Sequence, residues 1–103
     1  METKDTPLPS GTEVVILSLL VCAAGESYGL NLVKRSDGRL KRGTVYVTLG
    51  RMEDKGFVSS RSDPAPDARL TGARRLYRIT ALGQRALAAR QLATAHLAEG
   101  FVR

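Results

Sequence analysis

Thr44, Thr48, Arg51 and Lys55 recur at i, i+4, i+7 and i+11, a spacing that sets side chains along one face of a helix. Small hydroxyls and long cations in that order suit a polyanion. Hydroxyl and guanidinium groups donate to phosphate oxygens, a threonine methyl packs on thymine, and an arginine can donate to guanine O6 and N7. The same face would also serve as the solvated side of an ordinary amphipathic helix, and Arg51 suits a phosphate as well as a base edge. Lys41 and Arg42 stand where that helix begins, within reach of phosphates that also meet the first backbone amides. Arg69, Arg74 and Arg75 make a second basic group, in or beside the stretch from Asp63 to Arg74 that holds Pro64, Pro66 and Gly72. Arginines carried on a hairpin tip enter a narrow minor groove or grip its phosphates; on an exposed loop they also serve solubility.

Other chemistries lack their residues. His96 is the lone histidine and Cys22 the lone cysteine, so neither a zinc site nor an internal disulfide can be assembled from them. Ser59, Ser60 and Thr80 have no base partner in the sequence, and there is no Gly-rich phosphate loop, nucleophile elbow or catalytic triad. The expectation is no enzyme, no metal and no cofactor, with His96 a surface or seam residue. Cys22 sits in the apolar run Val14–Ala24 and is expected to be a small buried hydrophobe. That run has eleven residues, against about twenty for a bilayer span. The first residues, Met1-Glu2-Thr3-Lys4-Asp5, lack the basic start of a signal peptide. A cytoplasmic protein with no membrane partner is expected.

Charge sharpens the partner. Sixteen Lys and Arg face ten Asp and Glu in 103 residues, for a net charge of +6. Twelve of the cations and only five of the acids lie between Lys34 and Arg78. A basic middle with near-neutral flanks suits a polyanionic partner, here expected to be double-stranded DNA, and suits equally a soluble basic surface with no partner. An acidic protein docked on the same face is the competing reading.

These residues need a frame to hold them. Ser10-Gly11-Thr12-Glu13 has the form of a capping box, and predicts a largely apolar, central helix over 11–24, stopped by Gly25. Ser27 is placed to cap a second helix over 27–36, and Ser36-Asp37-Gly38 signals a turn. A third helix over 42–55 carries Val45, Leu49 and Met52 as its core stripe and ends at Gly56. The period then changes. Residues 57–62 and 75–80 read as two strands of a hairpin, and Thr80 caps a last, Ala-rich helix over 81–98. The resulting ααα-ββ-α order is mainly α with a small β-hairpin: a winged helix-turn-helix. The expected divisions are a flexible tail (1–9), a DNA-binding domain (10–80) and a C-terminal dimerisation helix (81–99). Leu82, Ala86, Ala89, Ala93 and Leu97 fall at helical spacing on that helix. They suit a homodimer seam, or a stripe packed on their own domain.

Three segments resemble a known family. Gly43-Thr44-Val45-Tyr46-Val47-Thr48-Leu49-Gly50-Arg51-Met52-Glu53-Asp54-Lys55-Gly56 is similar to the PadR-like pattern through the recognition helix. Ile16–Leu20 followed by Tyr28-Gly29 resembles its first helix and Tyr-Gly element, and Tyr77-Arg78-Ile79-Thr80-Ala81-Leu82-Gly83 its strand-to-helix junction. The resemblance spans about residues 10 to 92. It implies a homodimeric, usually repressing, transcription factor, with dimerisation through the C-terminal helix. It also brings Tyr46 toward DNA, although its spacing suits the core edge as well. The single C-terminal helix matches the family's shorter members. Some relatives bind ligands against tryptophan; this chain has none, and an effector is left without a residue-level signal.

Overall fold

The computed structural model describes residues 8–63 and 74–102, with side chains as far as residue 93. Seven elements follow one another: α1 (Gly11–Cys22), β1 (Glu26–Tyr28), α2 (Gly29–Arg35), α3 (Arg42–Lys55), β2 (Val58–Asp63), β3 (Arg74–Ile79) and α4 (Ala81–Val102). The strands form one antiparallel sheet in the order β1-β3-β2. Four helices against a small sheet make this a mainly helical winged-helix fold, as the sequence leads one to expect. No helix among the described residues is long and apolar enough to cross a membrane.

The capping box forms as read. Glu13 N–H donates to Ser10 Oγ at 3.2 Å, and Ser10 N–H donates to Glu13 Oε1 at 2.9 Å. Ile16, Leu17 and Leu20 of α1 are fully buried. Cys22 is exposed, which corrects the expectation of a buried thiol. The three core residues define a single stripe, and position 22 projects on the opposite side of the helix. The tail reading also ends earlier than residue 9, because Pro9 is fully buried and its carbonyl accepts from Arg90 Nη1 of α4.

Strand β1 is the element that the expected second helix concealed. Ala24 and Gly25 both take positive φ, turning the chain so that Gly25 O accepts from Ile79 N–H at 2.8 Å. Glu26, Ser27 and Tyr28 then pair with Arg78, Tyr77 and Leu76. Ser27 therefore caps no helix; its hydroxyl donates to Tyr28 O, and α2 begins two residues later without a side-chain cap. The turn at 36–38 is present. Ser36 Oγ donates to Val33 O at 2.7 Å and accepts from Leu40 N–H at 3.1 Å, which fixes the step from α2 to α3.

Helix α3 packs through the predicted stripe: Val45, Leu49 and Met52 are all fully buried. Gly56 ends it at φ 84°, a left-handed cap that glycine takes at least cost. The first turns of α4 dock on the same core. Ala86 is 8% exposed and half-buried Leu82 lies against Gly56, so these two face their own domain rather than a free seam. Ala89 is exposed, Ala93 is half-buried, and the side chain of Leu97 lies outside the described residues.

Docking α4 so closely requires Gly83. A Cβ there would overlap the carbonyl oxygen of Phe57 and come within 3.0 Å of Ile79 Cγ1. Helix propensity alone favours Gly83→Ala by about 1 kcal/mol. Overpacking against backbone costs about 1–3 kcal/mol. Urea unfolding of Gly83→Ala should therefore show net destabilisation; a variant more stable than the parent would mean that α4 is not held this tightly.

Candidate nucleic-acid interface

Helix α3 is bare on the side opposite its core stripe. Gly43, Val47, Gly50 and Asp54 follow one another there, and Val47 is 58% exposed. Cβ atoms built on Gly43 and Gly50 meet nothing within 4 Å. The ridge is thus narrow along its first two turns and ends at an acid.

A concavity flanks the ridge on each side. One, of about 430 Å³, lies between α3 and the N-terminus of α1 and is lined by Ser10, Thr12, Glu13, Thr44, Thr48 and Arg51 among others. The other, of about 490 Å³, is lined by Tyr28, Lys34, Arg42, Tyr46, Arg74 and Arg75 among others. It brings α2, α3 and β3 to one groove. Residues predicted from two separate stretches of sequence, the third helix and the hairpin, therefore meet: Arg42 and Tyr46 share the second groove with Arg74 and Arg75. Exposed Lys41 precedes α3 as its N-cap. Arg69 lies outside the described residues.

Two of the predicted residues are placed differently from the reading of an open polar stripe. Thr48 is only 9% exposed, because it borders the buried Leu49 and faces α1 at the floor of the first cleft. Lys55 is engaged within the fold. Its Nζ donates to Glu13 Oε2 at 2.7 Å and sits 5.7 Å from the Phe57 ring centre. Glu13 is 3% exposed, so this pair ties the start of α1 to the end of α3 and compensates a buried carboxylate.

The second groove is set by aromatic contacts. The Tyr46 ring lies over Gly29, where a Cβ would come within 2.7 Å of Cε1 and 2.9 Å of Cζ. Tyr46 is still 37% exposed, so it packs at the edge of the core and presents its ring to the groove at once. Tyr28 donates its hydroxyl to Asp63 Oδ2, and the Arg74 guanidinium stands 5.4 Å over the Tyr28 ring. Arg75 Nε donates to Ser60 Oγ at 3.1 Å, and Ser60 Oγ donates to Glu53 Oε2 at 2.8 Å. The base of the hairpin is thereby braced against β1 and α3. The Tyr28 phenol is raised above its ordinary value, chiefly by its hydrogen bond to Asp63. Burial, then the negative charge of Glu53, raises Tyr77. Both phenols stay protonated at neutral pH, and the charge of the groove comes from its cations.

Sequence reasoning missed Val47, Lys34 and Gly29. Val47 carried a signal: it is an apolar residue off the 45-49-52 stripe. Lys34 and Gly29 join the groove only through tertiary packing. Among the described residues, no group of three or more His, Cys, Asp or Glu is placed to hold a metal ion.

Comparison with known proteins gives a consistent picture. Residues 16–89 match the sequence model of the Transcriptional regulator PadR-like family. A PadR family transcription regulator from hypervirulent Clostridium difficile R20291 superposes with a TM-score of 0.71 at 26% identity, over 87% of this chain and 93% of that one. A transcriptional regulator from Clostridium thermocellum does so at 0.66 and 27%, over 87% of each chain. Bacillus subtilis PadR, solved in complex with operator DNA, shares the fold at 0.68 and 21%, over 81% of this chain and 47% of that one. No curated protein matches the sequence.

Two substitutions probe this geometry. Lys55→Gln should cost stability, about 1–3 kcal/mol by denaturant titration, because it removes the counter-charge of the buried Glu13 carboxylate. It should weaken DNA binding less than Arg51→Ala does; the reverse order would place Lys55 on DNA. Gly29→Ala should drive the Tyr46 ring out of its seat. Its tyrosine fluorescence or aromatic NMR shifts should change, and Tyr46→Ala in the same chain should restore the stability lost.

Proposed function

This chain belongs to the PadR-like family of transcriptional regulators, and on that premise we propose that it binds duplex DNA as a homodimer and represses transcription from a near-palindromic operator. The ridge of α3 enters the major groove. The flanking concavities receive the two sugar-phosphate backbones, with Thr44 and Arg51 on one side and Lys34, Arg42 and Arg75 on the other. The wing, with Arg74 and Arg75 at its base, lies along the adjacent minor groove, and Arg69 belongs to the stretch of sequence between its two strands.

The observation that carries this reading is the convergence of cations from α2, α3 and β3 beside a ridge that is open at Gly43 and Gly50. Cations that flank a major-groove helix stand where phosphates run. A Bacillus subtilis relative of the same fold was solved in complex with operator DNA, which supports duplex DNA as the partner. The dimer rests on α4. Its 22 residues extend about 33 Å, further than the core to which Ala86 and Leu87 belong, and Leu92 is 61% exposed beside exposed Ala89. A second copy covering that face would bury both. Such a regulator works where the chromosome is, in the cytoplasm. Any small-molecule effector is left unspecified.

Selection of bound sequences from a random duplex pool tests the reading. Two symmetric half-sites about 34 Å apart should emerge, bound by a species of twice 11.1 kDa. With six or more phosphate contacts, affinity should fall roughly a thousandfold or more between about 50 and 200 mM salt. Absence of enrichment, or a flat salt response, sinks DNA binding; a single asymmetric half-site sinks the dimer.

A further inference from the structure

We propose that Val47 is a specificity-determining residue that reads the 5-methyl group of a thymine; this rests on the reading that α3 enters the major groove. Val47 is 58% exposed and projects opposite the buried Val45, Leu49 and Met52. Nothing in its own fold accounts for a large apolar side chain there. It is also the most prominent side chain on the first two turns of the ridge, since its neighbours along that line are Gly43 and Gly50.

Those glycines are not demanded by packing. The space at both Cβ positions is open, and both weaken a helix relative to alanine. Their effect is to let the backbone of α3 approach a surface closely, with the valine methyls as the first atoms to arrive. Among the base edges of the major groove, thymine alone presents an apolar group. Valine has no donor or acceptor for the other positions. Placed against cytosine, it would cover the N4 amino group without giving it a partner, which costs binding. Thr44 and Arg51 in the adjoining cleft hold the strand so that the contact is local to one base pair.

The test uses the duplex selected from the random pool, with each thymine replaced singly by deoxyuridine, which deletes only the methyl. At one thymine per half-site the wild type should lose about fourfold in affinity, the fold-change corresponding to ~0.8 kcal/mol for one buried methyl at 1.36 kcal/mol per tenfold. Val47→Ala should bind the thymine and deoxyuridine duplexes equally. Its exposed position predicts an unaltered circular dichroism spectrum and melting temperature. The inference is overturned if the wild type is indifferent to every replacement. It is likewise overturned if the selected site has no thymine in its half-sites, or if Val47→Ala discriminates as strongly as the wild type. In each of these cases DNA binding itself stands. A wild type that binds no duplex removes the underlying reading and this inference with it.

Discussion

A single threonine hydroxyl joins four elements of this fold. Thr80 Oγ1 points its proton at Gly56 O, 2.6 Å away, with Phe57 O at 3.0 Å, and accepts from Gly83 N–H at 3.0 Å. Its own amide donates to Phe57 O at 3.0 Å. The end of α3, the start of β2, the end of β3 and the first turn of α4 are thereby drawn to one point. The same contact explains why glycine stands at positions 56 and 83. The first supplies the left-handed cap, and the second leaves room for the Phe57 carbonyl. A Tyr-x-Ile-Thr-x-x-Gly junction is, in physical terms, a helix cap that doubles as an inter-element clamp.

From that point the orientation of the interface follows. Fixing the end of α3 fixes the direction of its bare ridge, and fixing the end of β3 sets where Arg74 and Arg75 emerge. Glu13 and Lys55 make a second tie, from the start of α1 to the last turn of α3. Tyr28 adds a third by bonding Asp63 at the base of the wing. A helix with exposed glycines, as α3 is, has weak intrinsic helicity, roughly 1 kcal/mol lost at each relative to alanine. Its stability is therefore borrowed from the buried stripe and these ties, not from its outward face.

That division explains what was legible in the residues. Local devices could be read directly: the Ser10–Glu13 capping box, the Val45-Leu49-Met52 stripe, the Gly56 stop and the Thr80 cap all depend on neighbours within a few positions. The same is true of the basic clusters at 41–51 and 74–75. Strand β1 could not be read, because three residues are too few to show a period and its partner lies some fifty residues downstream. Cys22 and Thr48 failed for a related reason. Apolar or polar character predicts burial only on average, and the packing of α1 turned one outward and the other inward. Lys55 looked like one more cation on a polar row until the buried Glu13 from another helix claimed it.

On the proposed docking of α3 in the major groove, the arrangement separates affinity from discrimination. Cations beside the ridge interact with any duplex, and their contribution weakens as salt screens it. The small apolar groups on the ridge would contribute little to general attraction, but their fit would depend on which base edge they meet. Placing the long cations in the flanking grooves keeps them from holding the helix away from the bases. A bulky residue at Gly43 or Gly50 would blur the division, adding contact while preventing close approach. The side chains that α3 lacks on its outward face therefore shape its recognition as much as those it carries.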